Sequence, residues 1–293
     1  MDLTAADDHR HSLKSDEHEA FYFVFTSPDG RAHGFVRTLF GQDAVLELVA
    51  LHVGDHAWAH QLRATLPGSP APTADASGPA LKLTCREPWQ AWRCLFEGTV
   101  RRVDQGTSLP ASLDLTFTAT NEPGLFGYGR YQQAQQDGRL EGHLQTDTET
   151  WTGELACYRD HSWGQRPMGA ASLWTIASAP GHFYVVVVEM GDQRMSFGQI
   201  TTPDGQSVPV CVPQITPSDE GWCVEDPEAG LAAWQVRRLA PPLVAYLGPA
   251  GQEELRDAPR QGDLYEDKIG PAVFTSQQGD EIVGFWDQAR RLT

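Results

Sequence analysis

The sequence predicts an all-β protein of two antiparallel barrel- or sandwich-like domains with little helix. Three observations predict it. Short runs of β-branched and aromatic residues recur along the chain, and several alternate apolar with polar. Turn residues punctuate these runs at short intervals. No stretch carries a long amphipathic helical period uninterrupted by glycine or proline. At 293 residues the chain suits two domains of ordinary size rather than one small barrel.

The elements follow in order. Phe21-Tyr22-Phe23-Val24-Phe25 runs into Ser27-Pro28-Asp29-Gly30 and then Gly34-Phe35-Val36, a strand, a turn and a returning strand. Leu46 to Leu62 is the best helix candidate, although Gly54 interrupts it. Pro67 to Pro79, rich in Pro, Ala, Ser and Gly, reads as a surface loop. Residues 81–103 and 111–120 return to strand, with Leu113, Leu115 and Phe117 alternating as a half-buried strand should. Gly138 to Leu144 alternates too, and Trp151 to Cys157 is a further strand. Phe183 to Glu189 opens the second half as a valine-rich strand. Met195 to Ile200 then enters Thr202-Pro203-Asp204-Gly205, a turn of the Ser27–Gly30 kind, which hints at a duplicated architecture. The expected division is a disordered tail over 1–18, one barrel over 19–160 and a second over 161–293.

Composition narrows the function. A net charge of −17 disfavours nucleic acid and anionic membrane surfaces, which would repel the chain, and its plainest use is solubility. No apolar run approaches the ~20 residues of a membrane-spanning helix, and the polar opening resembles no secretion signal, so a cytoplasmic location is the default expectation. Five cysteines without a Cys-x-x-Cys pair read as reduced thiols rather than a disulfide frame or zinc site.

Chemistry concentrates in Tyr158-Arg159-Asp160-His161-Ser162-Trp163-Gly164-Gln165-Arg166-Pro167. An imidazole beside a carboxylate is a proton donor–acceptor pair near neutral pH. Trp163 offers a π face to a developing cation, and Arg159 or Arg166 can hold Asp160 ionised. If this stretch is extended, Arg159, His161 and Trp163 share one face, and Asp160 and Ser162 share the other. The plainer reading is architectural, because Arg–Asp pairs and buried tryptophans also fix domain junctions. The catalytic candidates are His161, Asp160, Trp163 and, at the exit of the valine-rich strand, Glu189. Its plainer reading is the first polar residue at the strand exit, before Gly191-Asp192. Tyr158, Arg159, Trp174 and Tyr184 are the substrate-binding candidates.

Other groups carry less. His52, His56 and His60 recur at helical spacing around Asp55, but Gly54 weakens the helix and the His-Glu-x-x-His arrangement is missing, so no metal is assigned. His9, His11 and His18 fall in or beside the expected tail. The three glycines of Gly124-Leu125-Phe126-Gly127-Tyr128-Gly129 lack phosphate-loop spacing and read as a turn or bulge. Neither a Gly-x-Ser-x-Gly elbow nor a Walker loop occurs, which disfavours an ordinary hydrolase or NTPase.

The order Tyr131-Gln132-Gln133, Gly138-Arg139-Leu140-Glu141-Gly142, then Arg159 to Pro167 resembles the lipocalin-like superfamily that contains carotenoid 1,2-hydratase and the AttH proteins. Phe21-Tyr22-Phe23 with Asp29-Gly30 and Gly34-Phe35-Val36-Arg37 is similar to that family's first hairpin. The resemblance covers residues 17–170 well and the remainder in outline, and Arg159 to Gly164 is its specific part. It implies two lipocalin-like barrels, a hydrophobic cavity, and active-site roles for His161 and Trp163. An aromatic-x-Asp element of the hydratase is replaced here by Val187-Val188-Glu189, so the resemblance does not carry the carotenoid reaction itself. Related folds include pericyclases and lipid-handling proteins. The expectation is therefore a cofactor-independent hydratase, cyclase or isomerase acting on a hydrophobic isoprenoid- or polyketide-like molecule. In it His161 handles the proton with help from Asp160. A non-catalytic binder of lipids or apolar metabolites is the competing class, and a ligand-free scaffold is the third. A carboxylate beside His161 inside the cavity separates enzyme from carrier, since a carrier has little use for a desolvated acid–base pair.

Overall fold

The computed structural model describes residues 3–292, apart from 67–72, 104, 147–148, 166–170, 203–205, 220, 249–252 and 256–257. Among the described residues the regular structure is strand, with two short 3₁₀ turns at Ala5–Asp8 and Pro227–Ala229. Two compact units form, residues 1–25 with 31–166, and residues 26–30 with 167–293. The fold is all-β and lipocalin-like, as expected from sequence.

The first sheet is built from β1 (His18–Thr26), β2 (Ala32–Phe40), β3 (Ala44–Val53), β4 (His56–Thr65), β5 (Leu81–Glu87), β6 (Ala91–Arg102), β7 (Ser108–Ala119), β8 (Gly124–Tyr128), β9 (Tyr131–Thr146) and β10 (Thr150–Gly164). Its order is β10-β1-β2-β3-β4-β6-β7-β9, and β9 pairs back onto β10, so the sheet closes on itself. Closure removes the unpaired edges that an open sheet exposes. Gly142 lies where β9 crosses β7 at φ 149°, and a Cβ there would run into the Asp114 carbonyl. Alternation sends every second side chain of β1 inward, so Phe21, Phe23 and Phe25 join Val49, Trp92, Phe96, Leu115, Phe117 and Leu155 in one buried cluster. Each large side chain buried this way contributes ~1.5–3 kcal/mol.

The second sheet contains β11 (Leu173–Ala179), β12 (Phe183–Met190), β13 (Gln193–Thr201), β14 (Ser207–Pro209), β15 (Gln214–Ser218), β16 (Gly221–Asp226), β17 (Leu231–Arg238), β18 (Leu243–Leu247), β19 (Glu253–Leu255), β20 (Tyr265–Ser276) and β21 (Glu281–Arg291). Its order is β14-β13-β12-β11-β21-β20-β17-β16-β15, with β18 attached to β20 and β19 to β18. Phe183, Val185, Val187, Trp234, Val236, Phe274 and Trp286 form its core.

Several local expectations change. Leu46 to Leu62 is not a helix but the β3–β4 hairpin, with Gly54 at φ 59° in the turn. Leu48, Val49, Ala50 and Leu51 are all buried, so both faces of β3 are covered and its apolar period cannot tell strand from helix. The histidine spacing there is a hairpin coincidence: His52 and His56 flank the turn, and His60 bonds Glu47 at 2.9 Å. Trp151–Cys157 and the motif Tyr158–Gly164 form one continuous strand. In the segment expected to be a tail, Ala5–Asp8 forms a 3₁₀ turn, and Asp8 and Arg10 are buried. The turn Thr202–Gly205 lies partly outside the described residues, as do Arg166 and Pro167 of the motif. No helix among the described residues is long and apolar enough to cross a membrane. The five cysteines are free thiols, and burial with help from Asp8 pushes Cys85 up to about 12.

Candidate functional site

The motif occupies the last half of β10, which is extended, so its side chains alternate. Arg159, His161 and Trp163 lie on the face that meets Phe21 and Phe23 of the neighbouring β1. Gly164 ends the strand at φ 100°, where a Cβ would run into the Arg130 carbonyl of the β8–β9 turn. The motif's closing glycine thus permits a close backbone approach.

His161 is fully buried. Its ring stacks on Phe21 at 4.0 Å and lies 4.9 Å from the Trp163 ring. Its Nε2 lies 2.9 Å from Oε1 of Glu19, itself fully buried on β1. The same Glu19 oxygen lies 2.6 Å from Nδ1 of His11, and the His11 backbone N–H donates to both carboxylate oxygens, at 3.1 and 3.0 Å. The His11 ring stacks on Trp163 at 4.8 Å with 16° between planes.

Burial alone would raise the Glu19 pKa, but the hydrogen bonds from His11 and His161 outweigh it and hold the carboxyl below its usual range. Burial lowers the pKa of His161, against the opposing pull of Glu19. At neutral pH the pair is therefore a carboxylate and a neutral imidazole. An ionised carboxylate only accepts, so the imidazole proton sits on Nε2 and Nδ1 carries the lone pair. That Nδ1 is buried and has no hydrogen-bond partner among the described residues. One ring nitrogen oriented by a carboxylate and the other left as a free acceptor is the arrangement of a general base.

Beneath this pair lies a second buried group. Asp8 forms an ion pair with Arg159 and accepts from the Trp89 backbone N–H at 2.7 Å and from Trp92 Nε1 at 2.9 Å. Arg159 lies 4.9 Å above the Trp92 ring and donates to Gln136 at 3.1 Å. Trp89 holds φ 59°, a conformation costly for a non-glycine residue, and the Asp8 bond to its N–H helps fix it.

The other predicted site residues are placed elsewhere. Asp160 points to the opposite face of β10, as alternation requires, and accepts from Gln133 and, at 3.3 Å, from Gln135. Glu19 holds the position beside His161 that was expected of Asp160. Tyr158 shares the Asp160 face and is buried. Trp174 on β11, Tyr184 on β12 and Glu189 near the end of β12 belong to the second unit, where Glu189 is paired in register with Arg194. Glu19, His11 and Asp8 went unrecognised in sequence. The signal for Glu19 was present, since two-residue alternation puts it on the face of Phe21, Phe23 and Phe25. His11 and Asp8, before the first strand, carry no comparable signal.

His11, Glu19 and His161 also offer ligand atoms within 4.8 Å of one another, a two-histidine, one-carboxylate set of the kind that binds zinc. A metal-bound imidazole normally gives its other N–H to an acceptor, and among the described residues none meets His161 Nδ1. The arrangement suits shared protons better than a shared ion.

Solved structures share this fold. A protein assigned as an AttH in Nitrosomonas europaea matches at TM-score 0.66 and 13% identity, over 95% of this chain and 94% of that one. Kievitone hydratase from Nectria haematococca matches at TM-score 0.56 and 11% identity, over 99% and 93%. CghA crystallised with Sch210972 matches at TM-score 0.52 and 11% identity, over 96% and 90%. No curated protein matches the sequence. A family model described as Domain of unknown function (DUF7064) matches residues 4–211.

Proposed function

The chain belongs to the DUF7064 family, and from that premise we propose that it is an acid–base enzyme of the lyase or isomerase class. Its reaction would be that of a hydratase, cyclase or isomerase on a hydrophobic isoprenoid- or polyketide-like small molecule, without a cofactor. The observation that carries this reading is His161, fully buried, with Nε2 on a buried carboxylate and Nδ1 without a hydrogen-bond partner among the described residues. Leaving a buried polar atom unsatisfied costs ~1–3 kcal/mol; His52 and His56 bury such a nitrogen too, but of the three only His161 sets its other ring nitrogen on a fully buried carboxylate.

In the first half of the reaction Nδ1 accepts a proton from substrate or from an attacking water. The imidazolium formed is stabilised by Glu19 at 2.9 Å, without the carboxylate taking the proton. In the second half the same nitrogen returns the proton to a neighbouring atom of the substrate. Trp163 flanks the ring and can face cationic character. Arg159 is held by Asp8 and supports the wall rather than the chemistry. The structural neighbours fit this class, since one is a kievitone hydratase, although at 11% identity it shows the fold alone. The buried Glu19 favours an enzyme over a carrier for the reason given from sequence: a desolvated acid–base pair serves turnover and not storage.

The test begins with untargeted metabolite capture on the purified protein, followed by turnover assays on the captured compound. His161→Ala is expected to lose ~10²–10⁴-fold in rate with folding retained. Trp163→Phe is expected to lose less, because an aromatic face remains. Near-full activity in His161→Ala would remove the reading.

A further inference from the structure

The face of Trp163 that a substrate would use is occupied by the chain itself. The occupant is a single ring, His11, which stacks on Trp163 at 4.8 Å and approaches Glu19 to 2.6 Å. The segment that brings it there is anchored at both ends. On one side Asp8 is held by Arg159, Trp89 and Trp92, and the Arg10 N–H bonds the Thr73 carbonyl at 2.8 Å. On the other side β1 begins at His18. Between the anchors Ser12, Lys14, Ser15 and Asp16 are exposed, while the His11 side chain is three-quarters covered. What closes this loop is at the surface: Arg130 bonds Asp16 at 2.5 Å, Gln165 at 2.6 Å and Glu17 at 3.5 Å. Exposed ion pairs of this kind contribute only ~0–1 kcal/mol. On its outer side the loop over 11–17 is held only by these weak contacts; lifting it leaves the Asp8 anchor intact but gives up the His11 bonds to Glu19, the stack on Trp163 and the packing of Leu13 on the core.

We propose that the place held by the His11 ring is the ring subsite of the substrate, and that the ligand is a planar, conjugated ring carrying an O–H or N–H donor, such as a phenol or a stable enol. This rests on the acid–base reading of the same site and specifies its substrate. Two features of His11 state what an occupant must supply. A flat π system must replace the stack on Trp163. A donor must replace the bond to Glu19, because a buried carboxylate that loses a partner bears the full cost of its desolvation. A saturated hydrocarbon meets neither need. His11 in turn keeps the site closed and the carboxylate paired while no ligand is bound.

The experiment removes the surrogate and offers simple replacements. His11→Gly is titrated with phenol, imidazole, toluene and cyclohexanol, following tryptophan fluorescence and thermal stability, and the parent protein is run alongside. The expected result is saturable binding of phenol and imidazole to His11→Gly, about tenfold or more tighter than to the parent. Toluene, without a donor, and cyclohexanol, without a π face, should bind about tenfold more weakly than phenol. Adding Trp163→Ala should abolish the difference. Arg130→Ala provides an independent arm should His11→Gly not fold, since it releases the loop and leaves the ring site intact, and it should tighten phenol binding to the otherwise unaltered protein. Equal binding of phenol and toluene, or no gain in either variant, would overturn the proposal. None of these readings uses turnover. Loss of phenol binding with His161→Ala still inactive would sink only the subsite. Phenol binding with His161→Ala fully active would sink only the acid–base reading.

Discussion

At His161 burial and Glu19 pull the proton affinity in opposite directions, and burial wins, so the folded pKa lies below the ordinary 6.5. Two consequences follow for pH. The proton-accepting form persists at neutral pH, and kcat/KM should fall only as pH drops through the lowered value. Glu19→Gln removes the charge that raises this pKa. The acid limb should therefore move to still lower pH while the rate at neutrality falls, because the imidazolium loses its counter-charge. A pH–rate profile of both proteins checks this, and an acid limb moving upward would contradict the assignment. For stability the sign is the same for both groups. Their folded pKa values are depressed, so the unfolded chain binds more protons; stability falls on acidification, first as pH drops below the ordinary 6.5 of His161 and then, for Glu19, below its ordinary 4.5. On the other face of β10, Asp160 accepts from two buried glutamines and does not reach the imidazole. Asp160→Asn is expected to cost ~1–3 kcal/mol of stability and leave turnover unchanged, which melting curves and rates measured together will show.

The N-terminal segment before β1 is the element whose role the structure changes most. It buries Asp8 against Arg159, and removing one partner of a buried ion pair costs ~3–5 kcal/mol. Deleting residues 1–10 should therefore lower the melting temperature on the order of 10 °C, where deletion of a true tail would change nothing. Calorimetry on the truncated chain decides between them. The end of β10 is equally constrained: Gly164→Ala would push a Cβ into the Arg130 carbonyl and should cost ~1–3 kcal/mol. Because Arg130 also latches the 11–17 loop, this substitution is expected to loosen the cover of the site as well as the strand.

For the whole molecule, the closed sheet of the first unit places a carboxylate–imidazole pair inside an aromatic interior, where water does not screen it. If protons rather than a metal run the reaction, exhaustive dialysis against a chelator should leave both rate and melting temperature unchanged. Adding zinc would engage His11, Glu19 and His161 and slow the reaction by removing the lone pair from service. Metal analysis with one bound equivalent required for activity would reverse this view. The net charge of −17 further predicts no measurable retention on nucleic-acid matrices at ordinary salt, checked by chromatography with a basic control.

Strand content, hairpin turns and the segregation of Arg159, His161 and Trp163 to one face were legible without coordinates, because each depends on residues adjacent in the chain. Alternation is a local property of an extended backbone, and the motif lies in a single strand. The β3–β4 hairpin was misread where Leu48 to Leu51 are buried on both faces, since a doubly covered strand loses its period. The partner of His161 could not be read locally. Asp160 is its neighbour in sequence but faces away, whereas Glu19 lies 142 residues earlier and arrives through the pairing of β1 with β10. Likewise a polar segment of low apolar content has no local reason to order. Asp8 becomes buried and His11 largely covered because the closed barrel supplies Arg159 and Glu19 as partners. Local alternation set which side chains share a face; only barrel closure decided which carboxylate meets the imidazole, because that contact is made between strands distant in the chain.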